Sequence, residues 1–390
     1  MLVEIFIILI IIFLGFNIKF FFEKYINSRD KYILNSLWIY HLIFGVVFWY
    51  YIFYGPGGDG VTYYRIANEE SFSNILSGFF KAGPGTSGMH MFNSLPASLL
   101  SPFGLSMVYC LIGYIGLVCF YVFFIRQIKY NTSLFNYKLF PLVFFLPNLH
   151  FWSAGISKDA ILFFCIGLFM YGIQQPSKHL FKIAVAMVVS YIIRPHITIF
   201  LISSMGMGYV LDGNLKLYQK IFLGGLFLAA FVLLFDNIMA YLKIEDLNTD
   251  TIDQFSENRV ADLSRAHTGS SVDISSYPYP LKVFTFLYRP LFFDINGVLA
   301  IVASFENLLL LVLSWKLFRI NPIKIFKAGN YMVKSLFIFL IIGSLSFSLI
   351  LGNMGIMLRQ KNMFIPALLF ICLWGLSYSY QQKRAAEKPG

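Results

Sequence analysis

Along almost the whole chain, apolar stretches of about twenty residues alternate with short polar turns. A helix needs ~20 residues to cross ~30 Å of hydrocarbon, and none of these stretches shows the strict alternation of a lipid-facing barrel strand. The pattern therefore predicts helices near 2–22, 33–54, 104–125, 138–151, 158–174, 183–194, 196–212, 218–236, 296–315, 333–352 and 363–380. The expected fold is an all-α, polytopic helical membrane protein with about eleven transmembrane or re-entrant segments. Two pairs, 138–151 with 158–174 and 183–194 with 196–212, are too short to span comfortably. Helices that stop at membrane depth need their free backbone groups satisfied by protein or by a water-filled cavity. The tips at 147–159 and 194–196 are thus expected to line a recessed pocket. Without a visible repeat or soluble domain, residues 1–380 read as a single polytopic domain with a large extracytoplasmic loop at 237–295, and 381–390 as a basic cytoplasmic tail.

Composition strengthens the membrane reading. Of 390 residues, 58% are hydrophobic and 13% charged, about half the charge of an average soluble domain, and the mean hydropathy is +0.70. Leu2 to Phe22 carries Glu4 where a secretory signal would be basic, and no small-residue cleavage pattern follows, so a retained helix is expected. Lys24, Arg29 and Lys31 come next, a turn that the positive-inside rule places in the cytoplasm. The N-terminus then faces out and the C-terminus in. The remaining basic turns fall on the cytoplasmic side as well, at Arg126 to Lys138, Lys178 to Lys182, Lys216 to Lys220, Lys316 to Lys334 and Lys383 to Lys388. The acidic 237–282 connection falls outside. The net charge of +11 is thus an orientation signal that lets lysines touch anionic membrane lipid, and no nucleic-acid partner is expected. Cys110, Cys119, Cys165 and Cys372 all lie in apolar stretches without metal-ligand spacing, so neither disulfide nor zinc is expected.

With the anchors set aside, nearly all other ionisable residues fall in the extracytoplasmic segments. Charge collected at one face of a lipid-embedded scaffold points to a site. Asp59 sits between Gly58 and Gly60, where a sharp backbone turn presents its carboxylate as a general base or metal ligand; an ordinary Asp-Gly turn explains it equally. Ser157 is a fitting cap for the helix that follows, and Asp159 suits that helix's first turn. Lys158 opposes the helix dipole unless an anion lies nearby. Trp152 reads as an interface anchor. Arg194 between two apolar runs costs ~2.5–3.5 kcal/mol on insertion scales, and phosphate is the natural partner of its guanidinium fork. His196 is either a proton carrier or a hydrogen-bonded structural histidine. Arg289, Asp294, Glu306, Arg359 and Lys361 form a further polar set, with Glu306 readable as a structural partner to another helix. The cations suit a lipid diphosphate, and the absence of a Walker sequence or nucleotide-binding glycine pattern favours a lipid-linked sugar over a nucleotide-linked one.

The segments Gly58-Asp59-Gly60-Val61-Thr62-Tyr63-Tyr64, Phe151 to Asp159, Arg194-Pro195-His196, Tyr288-Arg289-Pro290-Leu291, Ser304-Phe305-Glu306-Asn307 and Arg359 to Met363 resemble multi-pass proteins of bacterial capsule and exopolysaccharide clusters, described as polysaccharide polymerases or membrane glycosyltransferases. Resemblance to O-antigen polymerases implies functional arginines in a large periplasmic loop, with Arg259, Arg265 and Arg289 as counterparts. Resemblance to lipid-sugar-dependent GT-C glycosyltransferases implies an acidic residue in the first outer loop, which Asp59 matches, although the paired acidic motif of that group is absent.

The resemblance and the charge map imply glycan transfer at the outer leaflet of a bacterial inner (cytoplasmic) membrane. Its substrate would be a polyprenyl-diphosphate-linked oligosaccharide, with Asp59 or His196 as base and Arg194, Lys158, Arg289, Arg359, Lys361 and Arg265 holding the diphosphate. These groups are expected to converge in a single pocket. No cofactor is expected; a divalent metal ion and partnership with other polysaccharide-export proteins stay open. The alternative is a transporter or flippase of lipid-linked glycans, because broken helices and recessed cations suit transport equally well.

Overall fold

The computed structural model describes residues 2–134, 136–212, 216–222, 224–225, 228–229, 232, 272, 274 and 276–387. The chain is an all-α, polytopic membrane protein. Among the described residues, five helices are long and apolar enough to span a bilayer: Leu2–Tyr25, Ser28–Tyr54, Pro102–Gln127, Val298–Ile320 and Tyr331–Ile350. A sixth span results if Met354–Lys361 and Ile365–Ala386, bent by 59° at their junction, are taken as one. The helical membrane class is thus supported, though not the count of about eleven transmembrane or re-entrant segments. The stretch 138–151 breaks into the short pieces Leu139–Leu142 and Pro147–Phe151. The stretches 158–174, 183–194 and 196–212 form helices of 15, 14 and 16 residues, below the ~20 a span requires. Within 218–236, residues 223, 226–227, 230–231 and 233–236 lie outside the described residues.

Two compact units divide the chain, residues 1–129 with 140–198, and residues 130–139 with 199–390. The first contains α1 (Leu2–Asn17), which continues as a 3-10 turn to Tyr25, and α2 (Ser28–Tyr54). The loop expected after α2 is instead three helices, α3 (Asp59–Glu69), α4 (Phe72–Ala82) and α5 (Thr86–Leu99). The deeply buried α6 (Pro102–Gln127) follows, then α7 (Leu139–Leu142), α8 (Pro147–Phe151), α9 (Lys158–Gly172) and α10 (Leu180–Ile193). Tyrosines bind α6 to α2: Tyr121 donates to Asp30 Oδ1 at 2.9 Å and Tyr114 to the Leu34 carbonyl at 2.6 Å. Glu4 of α1 accepts the Ser101 amide at 3.2 Å, so the carboxylate in this apolar helix serves the start of α6. Residues 148–151 are buried. His150 is fully buried against His41, with Nδ1 atoms 3.0 Å apart, and the half-buried Trp152 packs on Phe151 and Phe48.

The unit boundary falls inside α11 (Pro195–Val210), between Thr198 and Ile199. The second unit also holds a two-stranded hairpin, β1 (Ser133–Leu134) with β2 (Tyr137–Lys138). Its helices are α12 (Tyr279–Tyr288), α13 (Val298–Ile320), α14 (Pro322–Ala328), α15 (Tyr331–Ile350), α16 (Met354–Lys361) and α17 (Ile365–Ala386). Phe286, Phe347, Phe339 and Phe364 form an aromatic core with neighbouring centroids 5.1–6.2 Å apart.

Candidate functional site

In the first unit, four chain segments that are far apart in sequence end at one place. Gly60 explains how α3 arrives there: a Cβ at that position would lie 2.7 Å from the Ile156 carbonyl oxygen, so only glycine lets the start of α3 rest against the approach to α9. Asp59, one residue earlier, opens α3 and is exposed. Gly88 does the same for α5, where a Cβ would lie 2.4 Å from the Ile192 carbonyl, and the Gly85 amide donates to that carbonyl at 2.9 Å. At the third segment, Ser157 caps α9 by accepting the Ala160 amide at 3.1 Å, with Lys158 and Asp159 in the first turn as the sequence suggested.

The fourth segment owes its shape to proline. A residue preceding proline is pushed out of the helical region, and Arg194 is extended at φ −152° and ψ 95°. Helix α10 therefore stops at Ile193, and α11 restarts with Pro195 in its first turn, where a missing amide proton costs nothing. A hydrogen bond between Ser190 and Thr198 at 2.7 Å closes the break. The arginine side chain is thereby delivered to Asp159, Nη1 to Oδ1 at 3.2 Å, with the carboxylate 1% and the arginine 11% exposed. The counter-charge that a recessed arginine needs is thus supplied, at least in part, by the chain itself.

Lys158 extends the cluster towards α5 and α3. Its amine donates to Thr86 Oγ1 at 3.1 Å and lies 5.9 Å from the centre of the Tyr63 ring. Tyr63 meets His90 edge-on, with centroids 6.0 Å apart. Lys158 and Arg194 both bear electrostatically on the His196 imidazole. Burial holds the pKa of His90 below the ordinary histidine value, with Glu70 opposing and the Lys158 charge adding to the depression. At neutral pH His90 is a neutral imidazole, and its Nε2 is buried with no hydrogen-bond partner among the described residues. The structure therefore gathers Lys158, Arg194 and His196, chosen from sequence, brings the start of α3 with Asp59 against the approach to α9, and adds Tyr63, Thr86 and His90. Tyr63 lies in the Gly58–Tyr64 segment noted from sequence, whereas no local signal marked Thr86 or His90, whose role depends on how α5 folds back.

The second unit holds a different cluster. Arg289 makes a two-pronged bond to Asp294, Nε to Oδ2 at 2.9 Å and Nη2 to Oδ1 at 2.5 Å, and the Leu291 amide donates to the same carboxylate at 2.9 Å. Burial alone would raise the Asp294 carboxyl; the bonds from Arg289 and Leu291 outweigh it and hold the pKa below the usual carboxylate value. Lys361 is fully buried and donates to the carbonyls of Leu287 at 3.3 Å and Arg289 at 3.0 Å and to Asn307 Oδ1 at 2.6 Å. Asn307 in turn donates to the Pro290 carbonyl at 2.7 Å, and Glu306 is buried within electrostatic reach of Lys361. The ammonium thus closes the carbonyl end of α12, a favourable place for a cation. Arg359, half-buried, lies two residues earlier on α16. Arg265 and Arg259, with most of the acidic loop, lie outside the described residues.

Among the described residues, no three His, Cys, Asp or Glu side chains are placed to hold a metal ion. The chain matches no family model, no curated protein and no solved structure.

Proposed function

We propose that the chain is a membrane glycosyltransferase or glycan polymerase acting on polyprenyl-diphosphate-linked sugars at the outer face of a bacterial cytoplasmic membrane, in surface polysaccharide synthesis. The observation that supports this reading is the gathering of Asp59, Lys158, Arg194 and His196 at one end of the first unit. In this reading Lys158 and the start of α9 receive the diphosphate, while Arg194, oriented by Asp159, adds a second positive group. An acceptor hydroxyl attacks the anomeric carbon, Asp59 or His196 takes its proton, and the carbon–oxygen bond to the diphosphate breaks with its electron pair leaving on the phosphate oxygen. Neutral His90 beside Lys158 is a further proton acceptor.

Purified protein in vesicles with a polyprenyl-diphosphate-linked oligosaccharide is expected to lengthen the glycan and release polyprenyl diphosphate. Lys158→Ala is the cleanest variant because it leaves the Arg194–Asp159 pair intact. It should lower the rate by roughly a hundredfold, the scale for removing one donor to a developing anion. Arg194→Ala should abolish turnover; full activity there would remove that residue from the site. Movement of the lipid between leaflets without any new bond would replace the transferase with a transporter.

A further inference from the structure

A second cluster of cations has no part in that chemistry. In the second unit, a cavity of about 730 Å³ is walled by Thr132 beside the hairpin, Lys316 and Arg319 of α13, Lys324 of α14, and Tyr378 and Lys383 of α17. Three separate stretches of chain bring these groups together, and among the described residues no carboxylate lines the cavity. Among the described residues, none of the four cations has an ion-pair partner. Basic residues at a helix end are ordinarily solvated anchors that splay into water. These line one open cavity, with Lys316 half-buried and Arg319, Lys324 and Lys383 exposed, and like charges sharing such a space repel unless an anion sits between them.

The Thr132 hydroxyl supplies an independent sign. Its Oγ1 is buried with no hydrogen-bond partner among the described residues, although a buried hydroxyl ordinarily finds one. Thr132 itself lines the four-cation cavity, and a hydroxyl with unused capacity beside it suits a ligand rich in acceptor oxygens. The hairpin keeps that wall in place: the Tyr130 amide donates to Ser377 Oγ at 2.9 Å, and Tyr130 packs on Tyr380 with centroids 5.4 Å apart.

We infer that this cavity binds a phosphate-bearing anion that carries two or more negative charges in all. It opens at the ends of two helices of spanning character, Val298–Ile320 and the bent pair closing with Ile365–Ala386, so the headgroup of an anionic lipid is within reach, as is soluble phosphate. The inference stands whether or not the transferase reading does, because it uses none of the same residues.

The test compares two full-length variants that lose equal charge: Lys316→Gln with Arg319→Gln in the cavity, and Lys178→Gln with Lys182→Gln in the first unit. Each is titrated in detergent with inorganic pyrophosphate and, in nanodiscs, with cardiolipin against a phosphatidylcholine background. Matching far-ultraviolet circular dichroism establishes that both variants are folded. At about 1 kcal/mol per cation near a charged surface, the cavity variant should bind at least tenfold more weakly, with the control unchanged. Thr132→Val should weaken binding a few-fold. Loss confined to cardiolipin identifies a lipid headgroup, and loss seen with pyrophosphate too identifies a soluble phosphate. Equal losses in the two variants, or no binding of either probe by the wild type, overturn the inference.

Discussion

At the scale of single residues, the structure separates cations that hold the protein together from those turned to other work. Lys361 uses its three bonds within the second unit, so Lys361→Met should leave the carbonyls and Asn307 unsatisfied and cost at least about 2 kcal/mol. A lowered unfolding midpoint in detergent is the expected result; unchanged stability with lost turnover would make it a substrate ligand instead. Asp294 gives a pH signature. Because its folded pKa lies below the unfolded value, its contribution is present above the ordinary carboxylate pKa of ~3.9 and disappears as pH falls through the folded value. The wild-type midpoint should therefore fall in acid more steeply than that of Asp294→Asn. At neutral pH the variant should be weaker by about 1–2 kcal/mol, a charge-assisted bond discounted for solvent screening. Equal acid sensitivity in both proteins would show that other groups carry the transition. Sequence could flag all these residues as costly in a membrane, but it could not say that Arg194 faces Asp159 or that Lys361 faces three neutral oxygens.

Among the elements, long apolar helices were legible almost to their ends: 33–54 forms as Ser28–Tyr54 and 333–352 as Tyr331–Ile350. The region 59–103 was not. Glycines and modest hydropathy read as loop up to Gly88, with His90 to Phe103 as an amphipathic or re-entrant piece, yet Asn74 and Gly104 amides bonded to the capping residues Ser71 and Ser101 start α4 and α6, and packing within the first unit completes α3 to α5. This folded-back region also sets the site, which gives a test of geometry. Gly88→Ala would force α5 off the Ile192 carbonyl and move Thr86 away from Lys158. It should lower turnover at least tenfold and destabilise by about 1–3 kcal/mol. Gly78→Ala on α4 meets nothing within 4 Å and should leave activity unchanged while stabilising by about 0.4–1 kcal/mol. If both glycine variants behave alike, close approach at Gly88 is not what builds the site.

For the molecule as a whole, the charge pattern makes one prediction that packing alone does not. Cysteines introduced at Thr62 should react with a membrane-impermeant thiol reagent in intact cells, and cysteines at Ser133 and Lys383 only after permeabilisation. The native background should be low, because Cys110, Cys119, Cys165 and Cys372 are all buried. The reverse labelling would invert the topology and move the proposed chemistry to the other face. The cationic cavity bears on the same question from another direction, since its walls come from three stretches that the charge rule assigns to one side. What sequence settled was the solvent: 58% hydrophobic residues in runs of spanning length leave a chain no alternative to helices, because hydrocarbon offers nothing else to satisfy its backbone. What only tertiary structure decided was how the chain divides into two packed units and which charges meet. Those outcomes rest on close contacts such as Gly60 on Ile156 and on ion pairs across 35 residues of chain, as in Asp159 with Arg194, and a linear pattern carries no distance information about either.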